Sequence, residues 1–303
     1  MNILIIGSHG FIGSHLCDHF TNKTYKVYGA DILEAPTFLN YNYVKVSGST
    51  SEWEDLLNLV PFDFCINAAG SGNVSFSVQN PVNDFEANTL DVIKILDALR
   101  KKHSACKFIH ISSAAVYGNP LILPISENTI LDPISPYGFH KMMSEVVCKE
   151  YHKLYNIPII IIRPFSLFGV GLHKQLLWDV CNKIKQDDSI TLFGTGDETR
   201  DFLHISDFVL LLEILMNKSN FTCDIYNAAS GREISIREVA SIFESVMLDC
   251  KKINFNGVTK AGDPLNWRAD ISKITELEFK PMARFNDSII EYINWFNELQ
   301  FNK

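Results

Sequence analysis

Met1-Asn-Ile-Leu-Ile-Ile-Gly7-Ser-His-Gly10-Phe-Ile-Gly13 opens the chain. Ile3, Leu4, Ile5 and Ile6 run without polar alternation, which suits a strand covered on both faces of a parallel sheet. Gly7, Gly10 and Gly13 follow in a GxxGxxG spacing, where the common dinucleotide fingerprint reads GxGxxG. The mechanical needs are the same. A tight turn, bare backbone against a pyrophosphate and close helix-on-strand packing each favour a residue without a side chain. A helix over Phe11–Phe20 would aim its free N–H groups at the phosphates, making Gly7, Gly10, Phe11, Ile12 and Gly13 candidate cofactor contacts. The plain rival is a strand-to-helix turn that binds nothing.

Composition narrows the classes. At 303 residues and 47% hydrophobic, the chain can bury one large core or two interlocked ones. A net charge of −8 argues against nucleic acid or an anionic membrane as partner. An anionic substrate must then be held by a few local cations. Seven cysteines (Cys17, Cys65, Cys106, Cys148, Cys181, Cys223, Cys250) are scattered singly with no CxxC pair, as expected of reduced thiols in a cytoplasmic protein. A first strand beginning at residue 2 leaves no room for a signal peptide, and no apolar run approaches membrane-spanning length.

Lys26–Ala30 reads as a second strand ending at Asp31, 18 residues beyond Gly13. A carboxylate there can accept both adenosine ribose hydroxyls. At ~4 Å from a 2′-phosphate it would repel by about 4 kcal/mol per unit charge at an effective dielectric of ~20. Ile32, Leu33 and Glu34 bring no cation, so NAD(H) is expected over NADP(H). Tyr43–Val46 and Phe62–Ala69 read as further strands, the latter ending in Asn67-Ala68-Ala69-Gly70, small residues suited to a cofactor lying across the sheet edge. A helix over Pro81–Lys101 carries an apolar stripe of Phe85, Val92, Ile93, Leu96 and Leu99. Lys107–Ser112 is a fifth strand. The alternation predicts an α/β fold, a doubly wound parallel sheet with its ligand at the strands' carboxyl ends.

The fifth strand opens into Ser112-Ser113-Ala114-Ala115, and Tyr137 and Lys141 follow on one helix face four residues apart. A free tyrosine titrates near ~10, and an ammonium one turn away favours its phenolate. A serine hydroxyl at the neighbouring strand end could hold the substrate oxygen whose proton moves. Beyond Val170 the chain predicts helices over Gln175–Lys185, Asp207–Met216, Ile236–Leu248 and Asp287–Leu299, with Ile225 onward returning a strand to the first sheet. The last two helices are expected to close over the substrate. His15 and His19 flank Cys17 one turn apart, but nothing nearby completes a ligand set, so no metal is expected. Tyr292, Trp295 and Phe296 at helical spacing read as core packing.

GSHGFIG, NAAG, SSAAVYGNP, SPYGFHK, RPFSLFG and GTGDETRDFLHISD occur in an order that resembles the extended short-chain dehydrogenase/reductase family of NAD-dependent sugar-nucleotide epimerases, dehydratases and ketoreductases. The resemblance covers essentially the whole chain. It implies a Rossmann NAD domain (1–168 plus 203–229) and a smaller α+β substrate domain (169–202 plus 230–303). It implies Ser113, Tyr137 and Lys141 as the catalytic set, with Lys141 also on the nicotinamide ribose. Ala68, Ala69, Gly70, Asn88 and Pro164 become further cofactor contacts. Ser113, Ser166, Lys174, Arg200 and Lys260 become contacts to a nucleoside-diphosphate sugar. Arg200 matches an arginine that grips the diphosphate, its rival being a salt bridge to Glu198 or Asp201.

Three positions depart from the family pattern. Ala114 and Ala115 replace the acidic pair that drives water elimination, so dehydration is not expected. Ser47-Gly48-Ser49 replaces an adenine-contacting Asp, and Ser166 replaces an Asn on the substrate phosphate. The short connection from Gly169 to Gln175 narrowly favours a 4-keto-6-deoxy-sugar-nucleotide reductase, with a nucleotide-sugar 4-epimerase as the alternative and a non-catalytic nucleotide-binding protein as a distant third. A homodimer is expected through the Phe85–Leu99 and Met142–Tyr155 helices, with Met142, Val146 and Tyr155 at the contact.

Overall fold

The computed structural model describes residues 1–34, 39–186, 190–247, 252–258, 262 and 264–301. Lys260, Cys250 and Leu248 lie outside the described residues. The opening stretch folds as strand β1 (Asn2–Ile6), a glycine turn and helix α1 (Phe11–Thr21). In chain order follow β2 (Lys26–Asp31), β3 (Asn42–Lys45), α2 (Thr50–Leu57), β4 (Phe64–Asn67), α3 (Val74–Gln79), α4 (Pro81–Phe85), α5 (Asp91–Lys102), β5 (Lys107–Ile111) and α6 (Pro136–Tyr155). The second half holds β6 (Ile159–Pro164), β7 (Ser166–Phe168), α7 (Gln175–Gln186), β8 (Ile190–Leu192), β9 (Thr199–His204), α8 (Ile205–Lys218) and β10 (Thr222–Ala228). β11 (Glu233–Ser235), α9 (Ile236–Val246), β12 (Ile253–Phe255), α10 (Ser272–Glu276) and α11 (Phe285–Phe301) complete it.

Seven parallel strands stand in the order β10-β6-β5-β4-β1-β2-β3. β1 is interior, so both of its faces are covered. Ile3 and Ile5 join one core with Leu16, Phe20, Phe208 and Leu212. Leu4 and Ile6 join the opposite core with Trp53, Leu56, Val92 and Leu96. That two-sided burial is why the run shows no alternation. The chain winds outward from β1 toward β3 and from β4 toward β10, so direction reverses between β1 and β4. Ligands of such sheets bind at that reversal, outside the carboxyl ends.

Ser166–Phe168 pairs with β9, and β9 with β11, in a separate three-stranded sheet; β8 and β12 form a parallel pair. The expected domain change at 168/169 leaves β7 with the first sheet although it pairs with β9, and the one at 202/203 falls inside β9 itself. A third core gathers Phe168, Leu177, Val180, Phe243, Ile289, Tyr292 and Phe296. Tyr292 donates its hydroxyl to the Leu172 carbonyl at 2.6 Å within it, the core role read for this aromatic helix.

Several details differ from the reading. The helix after Pro81 is broken by a π turn over Glu86–Leu90, and α2 and α3 add two short helices. Ser47-Gly48-Ser49 is the cap of α2, where Ser49 and Glu52 form a reciprocal capping box. Met142 turns inward against the cluster of Ala114, Val116 and Trp267, so it is not on the outer face assigned to it. Val92, Leu96 and Leu99 are likewise spent inside the subunit. His15 and His19 point at the Val170 carbonyl and Glu213, and among the described residues no group of three potential ligands gathers around a metal position. The described cysteines are free, five of them buried. Among the described residues no helix is long and apolar enough to cross a membrane.

One buried ion pair joins the first sheet to α6. Arg163 on β6 donates from Nε and Nη2 to the two Glu145 oxygens at 2.8 and 2.6 Å, both side chains being 1% exposed. The remaining capacity is filled. Ser112 donates to Glu145 Oε1 (2.7 Å), Arg163 Nη1 donates to the Tyr117 hydroxyl (2.8 Å), and Tyr117 donates to Asn227 Oδ1 on β10 (2.7 Å). Glu145→Ala would strand a buried guanidinium and should lower the unfolding free energy by about 3–5 kcal/mol. Denaturant titration of this variant beside Glu145→Ala/Arg163→Met checks it, with the double variant expected to recover much of the loss.

Candidate active site

The glycine turn and the end of β4 lie side by side. A Cβ on Gly13 would sit 2.0 Å from the Gly7 carbonyl oxygen, and one on Gly7, whose φ is +81°, would sit 2.7 Å from the Ala69 nitrogen. No side chain fits at either position. Gly10 supplies no side-chain cap to α1, so the first-turn N–H groups stay open to an anion. Phe11 packs against both the first and the third core. Asp31 ends β2 buried, accepting from the His9 N–H at 2.9 Å and the Leu33 N–H at 3.2 Å. Each carboxylate oxygen keeps a free lone pair for a ribose hydroxyl. His9 stacks on Tyr43 at 4.6 Å, walling this end.

Ser113 follows β5 and caps the 3₁₀ turn Ala114–Tyr117, its Oγ accepting from the Ala115 N–H at 3.1 Å. Its own proton is therefore free to point elsewhere, and the hydroxyl acts on Tyr137, drawing the phenol's pKa down. Tyr137 lies in the first turn of α6, held there by Ser135 as cap and by Ser77 Oγ, which accepts the Tyr137 N–H at 3.1 Å. Gly138 allows the close approach: a Cβ there would stand 2.6 Å from the Ala115 carbonyl. Lys141 is buried one turn on, its Nζ donating to the Ile111 carbonyl at 3.0 Å.

Burial pushes the Tyr137 phenol up to about 12, opposed by the Ser113 hydrogen bond. The phenolate preference expected from Lys141 does not prevail in this arrangement, because the ammonium is turned to the Ile111 carbonyl. Burial in turn pulls Lys141 down to about 8, with Asp84 as the leading influence the other way. Asn88 sits in the π turn, fully buried. The π turn is the kind of local irregularity that often marks a functional position.

The expected substrate residues lie on β7, before α7 and on β9. Lys174 directly precedes α7; desolvation lowers its pKa, and its Nζ reaches within 3.3 Å of where a Gly72 Cβ would be. Ser166 begins β7 beside buried Pro164. Arg200 donates to the Thr199 and Leu265 carbonyls at 2.8 and 3.3 Å and lies 6.0 Å over Trp267. Glu198 is occupied by the Thr195 and Gly196 N–H groups, and Asp201 by Ser230, Gly231 and Ala269. Sequence reading missed Ser77, Asp84, His140, Glu145 and Arg163. Their side chains matter through partners distant in the chain, for which no motif spacing gives a signal.

The sequence model of the NAD dependent epimerase/dehydratase family matches residues 3–229, and the chain belongs to that family. It is accordingly an NAD-using enzyme, and the bare glycine turn with its uncapped helix fits the cofactor's diphosphate. The chain is 31% identical over 307 residues to a putative UDP-glucose 4-epimerase of Methanocaldococcus jannaschii, covering 97% of each. It is 29% identical to an uncharacterized UDP-glucose epimerase of Bacillus subtilis, over 99% of each. Among solved structures it resembles UDP-glucuronic acid 4-epimerase from Bacillus cereus, in complex with UDP-glucuronic acid and NAD. The TM-score there is 0.90 at 27% identity, over 99% of this chain and 100% of that one.

Asp31→Asn should narrow the preference for NADH over NADPH by at least tenfold, since a repulsion of about 4 kcal/mol per unit charge at ~4 Å is removed. Fluorescence titration of both cofactors against wild type and variant checks this.

Proposed function

We propose that the protein is a 4-epimerase of a nucleoside-diphosphate hexose, with UDP-glucose and UDP-glucuronic acid as the first substrates to test. The observation that carries the reading is the Ser113–Tyr137–Lys141 constellation beside the glycine turn, in a chain aligned end to end with epimerase relatives. The relatives' chemistry moves the balance away from the ketoreductase that the short Gly169–Gln175 connection favoured. Ala114 and Ala115 leave no acid pair for dehydration.

NAD bound along the β1/β4 reversal supplies the hydride acceptor that inversion at a carbinol requires. The residues do the rest. Tyr137 takes the C4 hydroxyl proton and returns it, acting as general base and then general acid. Ser113, whose acceptor side is engaged by Ala115, directs its proton to the same oxygen. Lys141, one Nζ donor spent on the Ile111 carbonyl, offers its remaining donors to the nicotinamide ribose. Gly7, Gly10, Phe11, Ile12, Gly13, Asp31, Ala68, Ala69, Gly70, Asn88 and Pro164 hold the cofactor. Ser166, Lys174 and Arg200 hold the sugar nucleotide, Arg200 with the planar fork that suits two phosphate oxygens.

The protein is proposed to work as a homodimer through α4 and α6. Their outer faces leave Val82, Phe85, Phe139, Met143, Val146 and Leu154 exposed, a contiguous-face pattern that monomers seldom show. Sedimentation at micromolar concentration should give a dimer mass, and Val146→Glu should give a monomer.

NMR of UDP-glucose and UDP-glucuronic acid incubated with enzyme and no added cofactor tests the activity. Conversion toward a C4-epimer equilibrium, with about one NAD per chain released on denaturation, supports epimerisation. Net consumption of added NADH by a 4-keto sugar nucleotide would instead establish the reductase. Tyr137→Phe should cut turnover by ~10²–10⁴ while NAD content holds.

A further inference from the structure

Asp84 on α4 is fully buried, and the mechanism above does not use it. His140 Nδ1 lies 2.6 Å from its Oδ2, and Asn88 Nδ2 lies 3.1 Å from its Oδ1. Asn88 Nδ2 also donates to the Ser71 carbonyl at 3.1 Å. Both of these neighbours are acceptors, which fixes the amide's orientation without ambiguity: the nitrogen must face them. Asn88 Oδ1 is then the free end. It is buried with no hydrogen-bond partner among the described residues. It points to the space beside Gly70, 2.5 Å from where a Cβ on that residue would be, and Lys141 Nζ is 3.4 Å from the same point. The π turn puts Asn88 and Asp84 on this line, and Thr89 Oγ1, donating to the His140 carbonyl at 2.9 Å, ties the two helices together there.

We propose that His140 and Asp84 are positioning residues: Asp84, held by His140, locks the Asn88 amide with its oxygen toward Lys141 and the cofactor side of the cleft. A buried acceptor without a partner is costly, so the locked oxygen awaits a donor, the Lys141 ammonium or a ribose hydroxyl. The same carboxylate stabilises the charge on Lys141. The other titratable groups felt at that lysine are Glu145 and Cys148 on its own helix, His110 on β5 and Lys174 before α7. Asp84 leads those that favour the charged form. This inference rests on the proposed epimerase only for its turnover readout.

The test compares Asp84→Asn, His140→Ala and His140→Asn with wild type. It measures thermal midpoint, the pH dependence of NADH affinity, and kcat and KM for the sugar nucleotide. The charged lysine is the form that binds and assists. Loss of a neighbouring anion lets it deprotonate earlier, so in Asp84→Asn the alkaline limb of both profiles should move down by about one pH unit. In His140→Ala kcat should fall about tenfold with KM little changed, and His140→Asn, whose side-chain nitrogen can replace Nδ1, should restore it. Folded variants with wild-type kcat and an unmoved alkaline limb would overturn the proposal. Should Asp84→Asn not fold, the two His140 variants decide alone, equal turnover in both counting against it. A wild type inert toward every sugar nucleotide, with the NADH limb still displaced in Asp84→Asn, would sink the epimerase and leave this inference standing.

Discussion

The buried pair of Arg163 and Glu145 ties together the parts on which the site depends. Taking two charges out of water costs several kcal/mol per ion, so such a pair is tolerated only with near-complete hydrogen bonding. Here the fork is bidentate, and Ser112, Tyr117 and Asn227 take up the remaining capacity. The pair therefore fixes relative position more than it adds stability. Glu145 lies one turn beyond Lys141 on α6, and Ser112 directly precedes Ser113. One carboxylate thus sets the distance between the helix bearing the tyrosine and lysine and the strand end bearing the serine.

Around that tie the cleft is assembled from surfaces that cannot tolerate a side chain. The glycine turn sits against Ala69, and α6 against the Ala115 carbonyl, each at distances a Cβ would violate. Close approach concentrates buried polar groups at the carboxyl ends of the strands. Lys141, Asn88 and Asp84 are all buried there, so their charges and dipoles act with little water between them. In a chain of net charge −8, the proposed diphosphate contacts Lys174 and Arg200 are local cations. The apolar outer faces of α4 and α6 lie behind the same helices, which links the shape of the site to whatever covers them.

The elements read correctly were those with a contiguous local signature. β1, α1 and β2 declared themselves by an apolar run, a glycine spacing and a terminal Asp; the return of β10 to the first sheet followed from the alternation of elements. α2 and α3 were missed because eight and six residues give too few turns for a hydrophobic period to show. The π turn was missed because a five-residue break carries no spacing signature of its own, although it separates exposed Phe85 from buried Val92, Leu96 and Leu99. Met142 was placed outward because both it and Met143 fit an apolar helix face, and only the packing of Ala115 and Trp267 chooses between them. Lys141 was expected to pull the tyrosine toward its phenolate, but the Ile111 carbonyl takes the ammonium instead.

The amino-acid sequence by itself determined the doubly wound fold, the family, the nucleotide turn and the serine, tyrosine and lysine of the candidate site. Each of these is written in neighbouring residues, through the periods of helix and strand and the bare backbone that a glycine leaves. The tertiary structure decided which polar groups share the low-dielectric interior around that lysine. Asp84, His140, Asn88, Glu145 and Arg163 meet there only because separate helices and strands converge, and the cost of burying an unpaired charge or dipole depends on that convergence rather than on spacing along the chain.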